Sequence, residues 1–330
     1  MSVLEIDDLV VDFDTDDGLV QAIDHLSLSV RAGEIVGLVG ESGCGKTTVA
    51  RCILGVLPRP PAQVRMGAIR FQDQDLLNAP EAQLTGRVRG KAITFIPQDP
   101  QASLNPLFPV GVQLRDMLAW SIRKGRRSKE IREQIVALLQ HVQLPAPETQ
   151  LKKYPHEFSG GQRQRLVIAA ALAPAPALII ADEPTSALDV TVQAQILLLL
   201  KTLVKERGTS VLLITHDLGV VAKLCDRVVV MYAGQEAEVA PTASLFAQPS
   251  HPYTQQLLDS LPDRQAGDIR GIPGTVPNLI DPPRGCRFHT RCAFAMPACS
   301  QERPAAVEVL PDHWVRCHLL AGAGDHSHHA

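Results

Sequence analysis

The stretch Ile35-Val36-Gly37-Leu38-Val39-Gly40-Glu41-Ser42-Gly43-Cys44-Gly45-Lys46-Thr47-Thr48 decides the fold. An apolar run of strand composition enters a glycine-rich turn, and Val49 to Leu57 continue with helical composition. Glycines let the backbone wrap with its N–H groups facing anionic oxygens, and the following helix adds the positive end of its dipole. Lys46 is placed to reach the β- and γ-phosphates of a nucleotide, and the Thr47 hydroxyl to ligate Mg²⁺. Gly40, Glu41, Ser42, Gly43, Cys44, Gly45 and Thr48 complete the cradle. The reading is therefore a phosphate-binding loop in an α/β domain.

Working outward, Leu4 to Phe13 alternates apolar and acidic residues and breaks at Asp16-Asp17-Gly18, a strand and a turn. His25 to Val30 adds another strand, so an N-terminal β layer precedes the loop, and the ring of Phe13 is a candidate to fold over a bound adenine. Gly67 to Phe71 and Ala92 to Ile96 are further strands, the second ending at Gln98, whose amide can reach a phosphate-bound Mg²⁺ and an attacking water. Val112 to Ile122 and Glu130 to Val142 have helical periodicity around the basic turn Arg123-Lys124-Gly125-Arg126-Arg127, and they interrupt the α/β alternation as an inserted helical subdomain.

Phe158-Ser159-Gly160-Gly161-Gln162 then opens the helix Arg163 to Leu172, with Ser159 as its N-cap. It is a second anion-binding element. One γ-phosphate hardly needs two such elements from one chain, so this loop is expected to serve a nucleotide held by a second subunit. Ala177 to Ala181 is a continuous apolar strand ending in Asp182-Glu183: Asp182 is placed to hold Mg²⁺, and Glu183 to take a proton from the attacking water. Ser186-Ala187-Leu188-Asp189 is a turn and N-cap before the helix Val190 to Glu206. Ser210 to Ile214 is a buried strand that puts His216 at its carboxyl end, where α/β sheets collect ligands.

Composition sets the limits. A chain of 330 residues with 45% hydrophobic residues holds about two domains with a sizeable core, and a net charge of −3 gives no sign of bulk attraction to nucleic acid. Met1 to Asp17 is acidic and alternating, so no signal peptide is expected there. No run approaches the ~20 apolar residues that cross a bilayer, and Ile196 to Leu200, flanked by Gln193, Gln195 and Lys201, reads as a buried helix. A soluble chain whose membrane role comes through partners is the expectation. Of seven cysteines, Cys286, Cys292, Cys299 and Cys317 crowd the last fifth of the chain, and without export signals that clustering favours metal over disulfides.

In content, order and approximate spacing, the set Gly40 to Thr47, Gln98, Phe158 to Gln162, Leu178 to Glu183, Ser186 to Asp189 and His216 resembles the ATPase domain of ABC transporters, over about Ser2 to Ala240. The five-residue signature loop is what sets that family apart from other P-loop ATPases. The resemblance implies ATP and Mg²⁺ as cofactors, Phe13 as the adenine-stacking aromatic, Lys46 and Thr47 as phosphate and Mg²⁺ contacts, Gln98 as the Q-loop glutamine, Asp182 and Glu183 as Walker B aspartate and catalytic glutamate, and His216 as the switch histidine. It also implies head-to-tail dimers with two ATPs between the subunits.

A narrower match, Gln98-Asp99-Pro100-Gln101-Ala102-Ser103-Leu104-Asn105-Pro106 and His251-Pro252-Tyr253-Thr254 followed by the cysteine-rich tail, looks like the ATPase subunits of dipeptide and oligopeptide importers. This resemblance implies a peptide-importing translocase at the cytoplasmic face of the inner membrane, peripheral to two transmembrane permease subunits. The second ATPase subunit is then a paralogue or an identical chain, an extracytoplasmic substrate-binding protein acts indirectly, and no nucleic acid is bound. Nickel, glutathione or another solute remain as cargo, and a soluble ABC ATPase acting on ribosomes or nucleic acid is the alternative class.

The domains expected are an ABC ATPase domain over 1–250 with its helical subdomain at about 100–172, a C-terminal importer-type domain over 251–323, and a disordered tail over 324–330. Cys44 stands where many relatives have serine, and a thiol near a helix N-terminus is expected to be reactive, its alkylation blocked by ATP. The Cys-x5-Cys-x6-Cys-x17-Cys pattern lacks paired Cys-x2-Cys knuckles, and related importer subunits carry a [4Fe-4S] cluster, with Zn²⁺ the alternative. The tail is expected to be Pro-rich loop stapled by those ligands around Trp314 as a small core.

Overall fold

The computed structural model describes residues 2–121, 128–186, 188–261 and 271–320. The basic turn at Arg123 to Arg127, Ile122, Ala187 and the expected disordered tail at 324–330 lie outside the described residues. In chain order the strands are β1 (Ser2–Thr15), β2 (Gly18–Arg31), β3 (Ile35–Val39), β4 (Ala62–Phe71), β5 (Gln74–Asp75), β6 (Ile93–Ile96), β7 (Leu178–Asp182), β8 (Ser210–Thr215), β9 (Arg227–Tyr232), β10 (Gln235–Pro241), β11 (Ala306–Leu310) and β12 (His313–Arg316). No helix among the described residues is long and apolar enough to cross a membrane.

The chain forms two compact units. The first comprises Arg31–Glu34 and Ala79–Leu213. In it β6 and β7 pair in parallel, Ile93 opposite Leu178 and Ile96 opposite Ala181, and β7 lies between β6 and β8. Every residue of β7 and of β8 is buried, which is why both read as unbroken apolar runs rather than alternations. Between β6 and β7 the elements are helical, the longest being Val110–Ser121, Ser128–His141 and Gly160–Leu172. The helix Val190–Arg207 follows, started by Asp189, whose carboxylate accepts the Val192 N–H at 3.0 Å, and stopped by Gly208 in the left-handed conformation. Ile196, Leu197, Leu199 and Leu200 are buried there.

The second unit comprises Ser2–Val30, Ile35–Asn78 and Ile214–Ala330. One sheet is the N-terminal layer, ordered β2-β1-β4-β5, with β1 and β4 antiparallel and Phe13 opposite Ala62. The other runs β11-β12-β10-β9-β3, parallel only between β3 and β9 and antiparallel from β9 outward. The α/β domain thus has parallel pairing at β6-β7 and β3-β9, and antiparallel pairing from β9 outward.

The tail departs from expectation. It is not a set of loops around Trp314, because the hairpin β11-β12 extends the sheet through β10. Side chains alternate along a strand, so His313 and Val315 turn inward and are buried, while Trp314 faces out at 43% exposure. The inward contacts are ionic as well as apolar: Arg316 Nε donates to Glu236 at 2.6 Å, Arg303 pairs with Glu236 at 3.2 Å, and His313 Nε2 meets Glu238 at 2.6 Å. Two glutamates inside β10 are tolerated because the tail brings them cations and donors. The apolar centre of the tail is Phe288, packed edge-on against Tyr232 at 5.1 Å and tilted against Tyr253 at 5.3 Å.

Candidate functional site

The phosphate loop follows β3 in the second unit. The helix Lys46–Leu54 has Gly45 as its N-cap, at φ 100°, with no side chain to accept the first-turn N–H groups. That is the arrangement in which a helix N-terminus receives a phosphate. A Cβ on Gly45 would sit 2.5 Å from the Ala22 carbonyl oxygen, so close approach as well as the left-handed backbone requires glycine. Lys46 is buried, and its Nζ donates to the carbonyls of Gly40 at 2.8 Å and Glu41 at 3.0 Å. The loop therefore holds its lysine internally, on its own backbone carbonyls. Ser42, Gly43 and Thr47 are exposed.

Cys44 corrects an expectation. The thiol is fully buried, and burial raises its pKa, opposed by the nearby Lys46 charge and the hydrogen bonds around it. Desolvation disfavours the thiolate more than the lysine and the helix terminus favour it. An accessible, low-pKa thiol is not what the fold provides.

In the first unit, Gln98 follows β6 and Glu183 follows β7, and the parallel pairing of those strands brings them together: Gln98 Nε2 donates to Glu183 Oε2 at 3.0 Å. A candidate water-orienting amide and a candidate proton-accepting carboxylate, 85 residues apart in sequence, are thus in contact. Glu183 sits at φ 46°, a left-handed conformation that costs a non-glycine residue energy and turns the chain sharply after the strand. Asp182, one residue earlier, is buried at the end of β7. Ser159 caps the helix Gly160–Leu172 with a reciprocal box: its Oγ accepts the Gln162 N–H at 3.3 Å, and Gln162 Oε1 accepts the Ser159 N–H at 3.0 Å. Gly161 has a packing role that the sequence did not signal, since a Cβ there would meet Val192 Cγ1 at 2.6 Å. His216 stands exposed just past β8, and Asp217 caps the next helix by accepting from Gly219 and Val220.

Chain order also concealed residues that hold the loop from the C-terminal region. The Glu41 N–H donates to Tyr253 Oη at 3.0 Å. The Glu41 carboxylate is gripped by Arg291, Nη1 to Oε2 at 2.7 Å and Nη2 to Oε1 at 3.2 Å. Burial opposes the Arg291 charge, but the bonds to Glu41 and Tyr232 outweigh it and raise its pKa. Arg287 is buried and donates to the carbonyls of Ala233 and Gln21.

None of the seven cysteines is in a disulfide. The Cys286 N–H donates to the Cys299 carbonyl at 2.9 Å, and burial, followed by the charges of the other three thiols, pushes Cys286 up to about 11. Burial likewise raises Cys292 and Cys317. The four cysteines are near enough to feel each other's charge. Even so, no three His, Cys, Asp or Glu side chains among the described residues are gathered as a group that could hold a metal ion.

Against known proteins, residues 23–186 match the family model described as ABC transporter, and residues 237–299 match the oligopeptide/dipeptide transporter C-terminal region. A probable peptide ABC transporter ATP-binding protein of Sinorhizobium fredii is 45% identical over 96% of this chain and 94% of that protein. The chain belongs to the ATP-binding proteins of the ABC transporter family. A dipeptide transport ATP-binding protein of Bacillus subtilis is 44% identical over 98% of this chain and 97% of that protein. An oligopeptide transport ATP-binding protein of Salmonella typhimurium is 46% identical, covering 92% and 89%. Among solved structures, the dimeric ATP-binding cassette MJ0796 bound to ADP and Pi aligns with a TM-score of 0.64 at 26% identity, over 72% of this chain and 98% of that one. The ABC fold and an ABC-type ATPase activity follow from these likenesses and from the loop geometry.

Proposed function

We propose that this ABC ATPase powers import of dipeptides or oligopeptides through a membrane transporter, as a peripheral subunit on the cytoplasmic face of the inner membrane. The observation that carries this reading is the 44–46% identity to dipeptide and oligopeptide transport ATP-binding proteins, which extends through the tail. Its partners are a second ATPase subunit, identical or a paralogue, and two permease subunits, with a substrate-binding protein acting from outside. Residues 1–250 form the ATPase domain, with about 100–172 as its helical subdomain, and 251–323 the importer-type region.

In this reading Phe13 stacks on adenine, Gly40 to Thr48 cradle the phosphates, and Thr47, Asp182 and Gln98 hold Mg²⁺. Glu183 is the general base for water, oriented by Gln98, and such a base contributes on the order of 10² to 10⁴ in rate. His216 contacts the γ-phosphate, and Ser159 to Gln162 close on the nucleotide of the other subunit. The contact between Gln98 and Glu183 supports the pairing of those two roles. The substrate is tested by co-purifying the chain with its permease subunits in detergent and measuring ATPase activity in proteoliposomes. Stimulation by a peptide-loaded binding protein is the expected result. Stimulation by nickel or glutathione would move the cargo, and recovery without any membrane subunit would favour a soluble ABC ATPase.

For the tail, the proposal is a four-thiolate site for a [4Fe-4S] cluster, with Zn²⁺ as the alternative. The donor set and the mutual charge effects of Cys286, Cys292, Cys299 and Cys317 support it, and the lack of a gathered ligand group weighs against it. Absorption near 400 nm with about four irons per chain after anaerobic purification supports the cluster, whereas stoichiometric zinc in a colourless protein replaces it.

A further inference from the structure

We propose that the C-terminal region shapes the phosphate loop, with Arg291 and Tyr253 as positioning residues that act through Glu41; the inference rests on this chain binding ATP at Gly40 to Thr48. Glu41 is held at three points. Its N–H is taken by Tyr253 Oη, its carboxylate by Arg291, and its carbonyl by Lys46 Nζ. Two of the three partners lie 212 and 250 residues further along the chain. The third is the lysine that must reach the nucleotide.

The anchor is rigid on its own side. The guanidinium of Arg291 has five N–H donors. Nε goes to the Pro273 carbonyl at 2.8 Å, Nη1 to Glu41 and to Tyr232 Oη at 3.2 Å, and Nη2 to Glu41 and to the Ile272 carbonyl at 3.2 Å. The side chain is 4% exposed, so a two-pronged ion pair works there with little screening from solvent. Tyr253 is fully buried, its ring 4.6 Å from that of Tyr232 and 5.3 Å from that of Phe288, so its oxygen is fixed in place.

Two consequences follow for ATP. When a nucleotide arrives, Lys46 leaves the carbonyls of Gly40 and Glu41; Glu41 stays pinned by its N–H and side chain, and the cradle keeps its shape. The pair also neutralises a carboxylate carried by the loop itself, which would otherwise repel a polyanion. Glu41 is thus an acidic residue in a phosphate loop that is tolerable because the C-terminal region supplies its countercharge.

The test uses the full chain, measuring the ATP dissociation constant by calorimetry without Mg²⁺ and kcat and KM with it. Tyr253→Phe and Arg291→Lys keep the packing, and thermal melts confirm that each variant folds. Arg291→Ala is expected to raise the dissociation constant and KM about tenfold, and the two conservative variants about threefold, with kcat changed less than twofold. In the Arg291→Ala background, Glu41→Gln removes the unpaired charge and is expected to restore affinity to within about threefold of wild type, a non-additivity that a generally loosened fold does not give. Conservative variants that fold and keep wild-type affinity overturn the proposal, as does an additive double variant. Wild-type protein that fails to bind ATP would remove the ATPase reading along with it, whereas wild-type binding with unaltered variants removes only this inference.

Discussion

At Cys44, position in the chain and position in space argue in opposite directions. Helix N-terminus and adjacent lysine favour a thiolate; complete burial opposes it and prevails. Maleimide labelling of Cys44 in the native, nucleotide-free protein at pH 7.5 is therefore expected to be at least about tenfold slower than in denaturant, and rapid labelling that ATP suppresses would restore the reactive-thiol reading. His251 shows the same physics with a measurable consequence. It is 2% exposed, its Nδ1 accepts the Tyr253 N–H at 3.0 Å, and burial lowers its pKa to about 4 from 6.5. The folded state keeps the ring neutral, while the unfolded chain takes up a proton below pH 6.5. Stability from this group is complete above pH 6.5 and lost as pH falls toward 4, about 3 kcal/mol across the window. His251→Asn keeps an N-cap acceptor without titrating, so its melting temperature should fall less than that of wild type between pH 6.5 and 4.5, and parallel curves would contradict the assignment. The residues legible beforehand were those whose partner is local, such as Ser159 with Gln162. Tyr253 and Arg291 were not legible as partners of Glu41, because nothing in local pattern encodes a contact across more than 200 residues.

Elements buried on both faces were the readable ones. β3, β7 and β8 appear as apolar runs, and the helices after the two capped turns start where Ser159 and Asp189 set them. The hairpin β11-β12 was missed because β11 alternates only between exposed and half-buried residues and β12 is four residues long, so neither carries a strong apolar signal. Its inward contacts are ionic as well as apolar, through Glu236 and Glu238, and charges inside a strand read from sequence as surface. The glycines of the signature loop divide in a similar way. A Cβ at Gly161 meets Val192 Cγ1 at 2.6 Å, whereas one at Gly160 meets only Leu188 Cδ2 at 3.7 Å. Gly161→Ala must push apart the two helices Gly160–Leu172 and Val190–Arg207, and a loss of about 1 to 3 kcal/mol in urea unfolding is expected, with Gly160→Ala within about 0.5 kcal/mol of wild type. Equal losses in the two variants would place the requirement in the backbone and not in the packing.

At the scale of the molecule, the chain carries one phosphate loop and one signature loop, and the proposed function assigns them to different nucleotides. On that assignment the active form is a dimer whose stability depends on ATP. Tighter binding of nucleotide by the dimer than by the monomer pulls association by mass action, and hydrolysis releases it. Replacing Glu183 by glutamine keeps the shape beside Gln98 and removes the carboxylate proposed as the base, so the ATP-bound form should persist. With MgATP, Glu183→Gln is expected to elute at dimer mass and to retain about one ATP per chain, with turnover reduced on the order of 10²-fold. The same protein without nucleotide, or carrying Lys46→Ala as well, should elute as monomer. Ser159→Phe in the Glu183→Gln background separates the two half-sites, because the proposed function sets Ser159 against the opposite nucleotide: it should still bind ATP through its own loop and fail to dimerise. A Ser159→Phe variant that dimerised normally would show that the signature loop does not cross between subunits. Unreduced hydrolysis by Glu183→Gln would remove that carboxylate from the role of base.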